Sequence, residues 1–305
     1  MAEKDIFEKE LESFNDVFAD IVNVTMYDGE EVVEPEALSE QDPRGYCDGD
    51  KKRRELERDV MKSWEDGGIR LACFGFENQS EPDPDMPYRV ICYDGIEYRA
   101  QIDRNKGRYP VITLVLYFNR EKPWKGPLSL SAGFKVSERL KPFFNDYKIN
   151  LIDIPSLTSE QVDRFKSDFK AVADFFVQWR ETQNYVPKYH KLLHKKETIK
   201  MIDALGHTNF SVIFNYTDPE GVPDNMCEVV NMIQNRGIEI GRNEGIEIGR
   251  NEGIGIGRGE GIGIGEDNIL SLMQRLIEQN RIDDIKHVTQ DKEYRNKLLK
   301  EFHIC

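Results

Sequence analysis

The chain has 305 residues, 39% of them hydrophobic and 10% aromatic, which is enough for one large domain or two ordinary ones with a buried core. No apolar run reaches the ~18–20 residues of a membrane span, and the acidic start from Met1 to Glu12 lacks the apolar stretch of a secretory signal. A soluble, cytoplasmic protein with no membrane partner is therefore expected. The net charge of −14 is local: residues 1–50 hold sixteen Asp/Glu against three Lys/Arg, while the other 255 residues carry 39 basic and 40 acidic side chains. A phosphate backbone thus remains open as a partner for most of the chain. The five cysteines form no C-x-x-C pair, which favours free thiols over a zinc site.

In chain order, residues 5–22 are expected to form an amphipathic helix, because Phe7, Leu11, Phe14, Phe18 and Ile21 recur at steps of three and four. Tyr27-Asp28-Gly29-Glu30 supplies a turn, and Glu31 to Asp50, acidic and punctuated by Pro and Gly, reads as a surface segment. Residues 51–65 fit two patterns: Leu56, Val60, Met61 and Trp64 suit a helical face, whereas Val60, Lys62 and Trp64 suit a short strand. After the turn signal Asp66-Gly67-Gly68, Ile69 to Phe76 has the pattern of a buried strand and ends abruptly in Glu77-Asn78-Gln79-Ser80. Pro87 suits the first turn of a helix running to about residue 101. Tyr109 to Phe118, β-branched and aromatic, predicts another strand, and so does Lys148 to Ile154.

From Ser159 onward the pattern is helical. Thr158 or Ser159 is placed to cap a helix whose apolar face is Phe165, Phe169, Val172, Phe175 and Phe176; a second helix spans 187–205 and a third begins at Asp224. The fold class is α/β followed by a mainly helical region. Its divisions are a core over 1–155, a helical extension packed on that core over 156–235, a repeat or linker over 236–266 and a short helical tail over 267–305. Residues 237–266 repeat with a period of eight, as GIEIGRNE twice, then GIGIGRGE and GIGIGE. As a helix, the glycines at every fourth position form one small-residue stripe suited to close helix contact. Yet each costs about 1 kcal/mol against Ala, and the Ile-x-Ile alternation has the period of a strand. Helix, strand and solvated linker all remain open, and a homo-oligomer formed through the repeat is one expectation.

The strand ending in Glu77-Asn78-Gln79 carries the chemistry. Alternation along a strand puts Glu77 and Gln79 on one face and Asn78 on the other. A Glu at a sheet rim with a second acid nearby can hold Mg²⁺ or Mn²⁺, and such an ion polarises a phosphoryl oxygen and activates water. Asp59 is the upstream acid, and Gln79 is the group placed to orient the attacking water.

The stretch Ile69–Ile102 resembles the Rpn family, the recombination-promoting nucleases or putative transposases of the PD-(D/E)xK superfamily. In that family a strand ends in E-x-Q in place of E-x-K, as Glu77-Asn78-Gln79 does. A Met-Pro-x-Arg helix follows, here Met86-Pro87-Tyr88-Arg89, with a Tyr one turn later, here Tyr93. Arg58-Asp59 looks like the family's Asp-bearing strand, Pro110-Val111-Ile112 with Val115-Leu116-Tyr117 and Trp124 looks like its next strand and loop, and a glycine-rich C-terminal repeat is a familiar appendage. The resemblance covers roughly residues 5–200. It implies a restriction-endonuclease-like core with a mixed central sheet flanked by helices, and metal-dependent cleavage of DNA linked to recombination or transposon-like mobility. It further implies Asp59 and Glu77 as metal ligands, Gln79 in place of the usual Lys, and an additional acid from the first helix, with Glu12, Asp16 and Asp20 as candidates. Arg89 would contact phosphate or brace the site. Arg58 departs from the expected Pro, and Gln79 removes a cation that would neutralise transition-state charge. A degenerate DNA- or partner-binding module that assembles through its repeat is the alternative.

Two other signals are weaker. His190 and His194 would share one side of the helix predicted at 187–205, but H-x-x-x-H without an adjacent Glu is a poor zinc motif. The neighbouring Lys188, Lys191, Lys195, Lys196 and Lys200, and the run Lys51-Lys52-Arg53-Arg54, are either solvated faces or backbone-phosphate contacts, with Lys195 and Lys196 the named candidates.

Overall fold

The computed structural model describes residues 9–48, 53–104, 107–210 and 221–304. Phe7 and the side chains of Lys51-Lys52-Arg53-Arg54 lie outside the described residues. The chain divides into two compact units, Met1–Ile233 and Gln234–Cys305.

In the first unit, β1 (Leu38–Glu40), β4 (Val60–Asp66), β5 (Ile69–Gln79), β6 (Val111–Tyr117) and β7 (Asn150–Asp153) form a five-stranded sheet in the order β1-β4-β5-β6-β7. A separate two-stranded ribbon joins β2 (Arg44–Asp48) to β3 (Arg53–Glu57). The pairs β1–β4 and β4–β5 are antiparallel, whereas β5–β6 and β6–β7 are parallel, so the sheet is mixed. The parallel step from β5 to β6 needs a crossover, and α2 (Met86–Arg104) provides it.

Period-two alternation sorts the two faces. Phe74 and Phe76 of β5, with Leu114 and Leu116 of β6, join Phe18, Ile21 and Val22 of α1 (Asn15–Tyr27) in the main core. The helices α3 (Ser159–Arg164), α4 (Phe169–Thr182) and α5 (Lys195–Gly206) contribute Val162, Phe169, Phe176 and Ile202 to that same core. On the opposite face, Val115 packs with Met86 and Val90 of α2. Glu77 and Gln79 therefore project towards α2, and Asn78 towards the α1 side.

The structure corrects several expectations in the acidic N-terminal part. The helix read over 5–22 is interrupted: residues 9–12 are helical, Ser13 and Phe14 are not, and α1 resumes at Asn15. A buried lysine explains the break, since Lys62 Nζ donates to Ser13 O and to Asn15 Oδ1, both at 2.7 Å. Asn15 Nδ2 in turn donates to Pro35 O and Leu38 O, which ties β1 to the helix start. The segment read as surface, Glu31 to Asp50, thus contains β1 and β2, and residues 51–65 resolve as strands β3 and β4 rather than a helix.

Tertiary partners also shorten two predicted helices. Thr158 caps α3 through the expected box, accepting from Gln161 N at 3.2 Å while Gln161 Oε1 accepts from Thr158 N at 2.9 Å. The helix then stops, because the Asp20 carboxylate accepts the N–H groups of Lys166 (2.9 Å) and Ser167 (2.7 Å), and α4 begins only at Phe169. Likewise the helix expected over 187–205 starts at Lys195, after Asp168 accepts the N–H groups of Leu193 and His194.

The repeat is helical throughout, as part of α6 (Met226–Glu278), a single helix of 53 residues. A four-residue spacing exceeds the helical repeat of 3.6, so the glycine stripe winds about 40° every four residues and does not keep to one face. In the second unit, α7 (Ile282–Gln290) and α8 (Lys292–Glu301) close over Leu272 and Leu276 through Val288, Leu298 and Phe302. Among the described residues, no helix is long and apolar enough to cross a membrane, and Cys73 and Cys227 form no disulfide.

Candidate active site

The parallel strands end together at one edge of the sheet, where Glu77 pairs in register with Val115, and Gln79 with Tyr117. Asp59, just before β4, reaches the same edge: its N–H donates to Phe76 O at 3.2 Å, and its Oδ2 accepts from Asn78 N at 2.6 Å. Asp59 is thus fixed through the backbone of the very residue between Glu77 and Gln79. Lys9 Nζ lies 3.3 Å from Asp59 Oδ1.

Glu77 is 2% exposed. Its Oε1 accepts from Arg89 Nη2 on α2 and, at 3.4 Å, from Gln79 Nε2. Its Oε2 is buried with no hydrogen-bond partner among the described residues. Burial, and then the neighbouring Asp59 charge, push the Glu77 carboxyl up to about 8, although Arg89 opposes the shift. Burial also raises Asp59, against the Asn78 N–H and Lys9. The Asp59 charge thus acts directly on Glu77, as expected of two acids that face one site.

This carries a stability consequence whose sign is definite. The folded protein holds a proton on Glu77 to about pH 8, whereas the unfolded chain releases it near the ordinary value of 4.5. The stabilisation is therefore present in full below the unfolded value and is lost as pH rises through the folded one. In chelator, the melting temperature is expected to fall between about pH 5 and about pH 8.5, and Glu77→Gln should flatten that slope. An unchanged slope in the variant would remove Glu77 as its source.

Of the three helix acids, the structure brings only Glu12 to the motif. Its carboxylate, fully buried, accepts from Asn78 Nδ2 at 2.8 Å on the α1 side of the sheet. Asp16 faces His194 Nε2 at 3.0 Å, and the His194 ring stacks on Phe14 at 3.7 Å. Asp20 is committed to the backbone N–H groups before α4. Both Asp16 and Asp20 line a surface pocket of about 520 Å³ whose lining includes neither Asp59, Glu77 nor Gln79. His190 and His194 do not share a helix face, since His190 Nε2 lies 3.6 Å from Asp168 instead. Lys195 pairs with Asp224 at the start of α5, with Lys196 beside it in the first turn.

Sequence reasoning missed the support beneath Asp59. Arg58 is 2% exposed, and its Nη2 lies 2.5 Å from Asp94 Oδ1 on α2. Asp94 also accepts from Thr113 Oγ1 at 2.6 Å and from Tyr147 OH. A Cβ on Gly75 would come within 2.7 Å of Arg58 Cδ, so the glycine in β5 makes room for the buried arginine. The one visible signal was Arg58 standing where the superfamily pattern has Pro.

No group of three or more His, Cys, Asp or Glu arranged to hold a metal occurs among the described residues. An ion such as Mg²⁺ keeps several waters and needs only one or two carboxylates. Asp59 and Glu77 fit that demand as hard oxygen donors, and Glu77 Oε2, buried with no hydrogen-bond partner among the described residues, is the oxygen that would meet a cation in exchange for its proton.

A mixed sheet flanked by helices, with Asp59 and Glu77-Asn78-Gln79 at its edge, defines an α/β core of the PD-(D/E)xK type. Residues 72–202 match the model of the family described as "Putative transposase, YhgA-like", which is related to the Rpn proteins, so that stretch is similar to the family. The match includes Glu77, Gln79 and Arg89 and leaves Asp59, Glu12 and the repeat outside it. No curated protein and no solved structure matches the chain.

Proposed function

We propose that the Asp59–Glu77–Gln79 edge hydrolyses DNA phosphodiester bonds with a divalent ion, Mg²⁺ or Mn²⁺, in recombination or transposon-like mobility. The observation that carries this reading is the buried Glu77 carboxylate, with one oxygen unpartnered and Asp59 beside it. The match of residues 72–202 to a transposase family model supports DNA as the substrate class. Asp59 and Glu77 would hold the ion. When bound, the ion supplies a Lewis acid for a phosphoryl oxygen and lowers the pKa of water. Gln79, its amide on the Glu77 side of the site, accepts a hydrogen bond from the attacking water and aims a lone pair at phosphorus. The new P–O bond forms from that water as the bond to the sugar oxygen breaks. The leaving oxygen takes up a proton, and the water releases one to solvent.

The test is cleavage of plasmid and linear duplex with Mg²⁺, Mn²⁺ or chelator, by wild type and by Asp59→Ala and Glu77→Ala. Cleavage that needs the ion and both acids supports the assignment. Equal cleavage by all three proteins would remove it, and DNA binding without cleavage would favour a degenerate binding module.

A second reading, assembly through α6, rests on its own observation. Ile238, Ile246, Ile254 and Ile262 are 55–70% exposed, and a Cβ on any glycine from Gly237 to Gly265 would meet nothing within 4 Å. A helix bearing eleven glycines loses on the order of 10 kcal/mol against alanine, a loss that burial of its isoleucines would offset. Deleting residues 237–266 is then expected to lower the mass measured by light scattering to that of a single chain, and an unchanged mass would exclude the repeat from assembly.

A further inference from the structure

The connection from β6 to β7, Phe118 to Ile149, is long for a compact domain, and loops of such length usually carry function. It starts at the catalytic edge, because Tyr117, the last residue of β6, is in register with Gln79. Its charge runs against that of the chain. The whole protein carries −14, yet Asn119 to Ile149 holds seven Lys or Arg and only three Asp or Glu.

This loop is a built element. Leu130 N donates to Tyr147 O and Ile149 N to Leu128 O, each at 3.0 Å, which zips its two ends together. The Asp146 carboxylate accepts from Ser131 N at 3.0 Å and from Ser131 Oγ at 2.6 Å, and Phe134 packs edge-on against Phe144. Three contacts root it beside the site. Trp124 packs edge-on against Tyr117, and Tyr147 OH donates to the Asp94 that anchors Arg58. Gly133 lies against Tyr88, whose hydroxyl is 2.9 Å from where a Cβ would stand. Tyr88 directly precedes Arg89, and Arg58 directly precedes Asp59.

Held this firmly, the loop still presents apolar side chains to water. Lys141–Phe143 is a 3-10 turn, with Phe143 N donating to Leu140 O at 2.9 Å. Residues three apart eclipse in that geometry, so Leu140 and Phe143 stand on one side, 60% and 84% exposed. Phe144 packs onto Phe134 instead. One exposed apolar residue means little by itself, but this pair is flanked along the chain by cations. Lys135 and Arg139 are exposed and meet no acid among the described residues, while Lys141 pairs with Glu138. An apolar tip flanked by unneutralised cations matches a base stack running between phosphate backbones.

We propose that the β6–β7 loop is a DNA-docking flap: Lys135 and Arg139 contact phosphates beside the cleavage site, and Phe143, backed by Leu140, wedges between two stacked bases. This rests on DNA as the substrate of the Asp59–Glu77–Gln79 edge and specifies which DNA it takes. Unstacking costs least where pairing is already disturbed, so the flap favours a mismatched duplex over a fully paired one.

The experiment uses the full chain as wild type, Phe143→Ala and Lys135→Ala/Arg139→Ala, with thermal melts to establish folding. The probes are a labelled duplex, fully paired or with a central mismatch beside a 2-aminopurine base, and vesicles rich in anionic lipid, all in Ca²⁺. Cleavage in Mg²⁺ is read separately. Wild type is expected to bind the mismatched duplex about tenfold more tightly than the paired one, and to raise the 2-aminopurine fluorescence as that base unstacks. Phe143→Ala should lose the preference and the fluorescence rise while keeping its salt dependence. Lys135→Ala/Arg139→Ala should bind both duplexes about tenfold more weakly, with the slope of log K against log salt reduced by about two. A folded Phe143→Ala protein that keeps the fluorescence rise overturns the proposal. So does a folded double variant with unchanged affinity and slope, and so does a wild type that binds the vesicles but neither duplex. Binding with the fluorescence rise but without cleavage in Mg²⁺ supports the flap and removes the nuclease reading. Cleavage and binding that both folded variants leave unaltered do the reverse.

Discussion

Glu77→Gln is expected to lower the rate of DNA cleavage by on the order of 10³-fold or more while leaving the protein folded. The substitution keeps the shape of the side chain and its contact with Gln79, but it replaces a buried carboxylate by a neutral amide. An amide nitrogen now occupies one of the two positions from which oxygen would meet a cation, and the charge that draws the cation is gone. The folded state should not suffer, because a group that is 2% exposed and pushed up to about 8 is an acid whose charge the fold disfavours. Initial rates of plasmid nicking, measured beside a thermal melt in chelator, check both halves. A variant that nicks like wild type would deny Glu77 its role, and one that no longer folds would show that the carboxylate is structural.

Arg58→Ala is expected to destabilise the first compact unit by about 3–5 kcal/mol, because it strips a buried carboxylate of its counter-ion. Asp94, 2% exposed, would keep Thr113 Oγ1 and Tyr147 OH but lose the guanidinium. Neutralising both partners, as Arg58→Met with Asp94→Asn, should recover most of that loss, since neither then leaves an uncompensated charge in the interior. Denaturant titrations of the single and double variants form the cycle. If the double variant is as unstable as the sum of the singles, the pair does not couple. The same cycle bears on the site, because Arg58 directly precedes Asp59, and its anchorage to α2 holds the turn that presents that acid.

Much of the local structure was legible in the residues themselves. Ile69 to Phe76 read as a buried strand and is a strand, but Ile69 and Leu71 are exposed and burial begins at Ala72; the strand continues to Gln79 because backbone pairing with β6 carries on past the apolar run. Thr158 and Gln161 announced their capping box, and Asp28-Gly29 their turn, with φ values of 59° and 90°. Errors clustered where a residue distant in sequence intervenes. Lys62 breaks the first helix at Ser13, Asp20 ends α3, and Asp168 delays α5. None of these has a local signal, because an acid or lysine that satisfies a remote backbone group looks like any surface charge.

The Glu77-Asn78-Gln79 edge, opened as a strand ending in polar residues, divides along the same line. By itself the sequence determined that Glu77 and Gln79 share a face and that Asn78 faces the other way, since alternation is a property of the strand alone. It also carried the resemblance to the Rpn proteins, through the motif and the helix that follows, and residues 72–202 match a related family model. Only the tertiary structure decided which of the three helix acids reaches the motif, that Asn78 N holds Asp59, and that Arg89 meets Glu77. It also decided that Asp94 neutralises a buried Arg58. Those pairings span up to 66 residues of chain. They follow from where the sheet sets each element, a consequence of packing the whole core rather than of any short pattern.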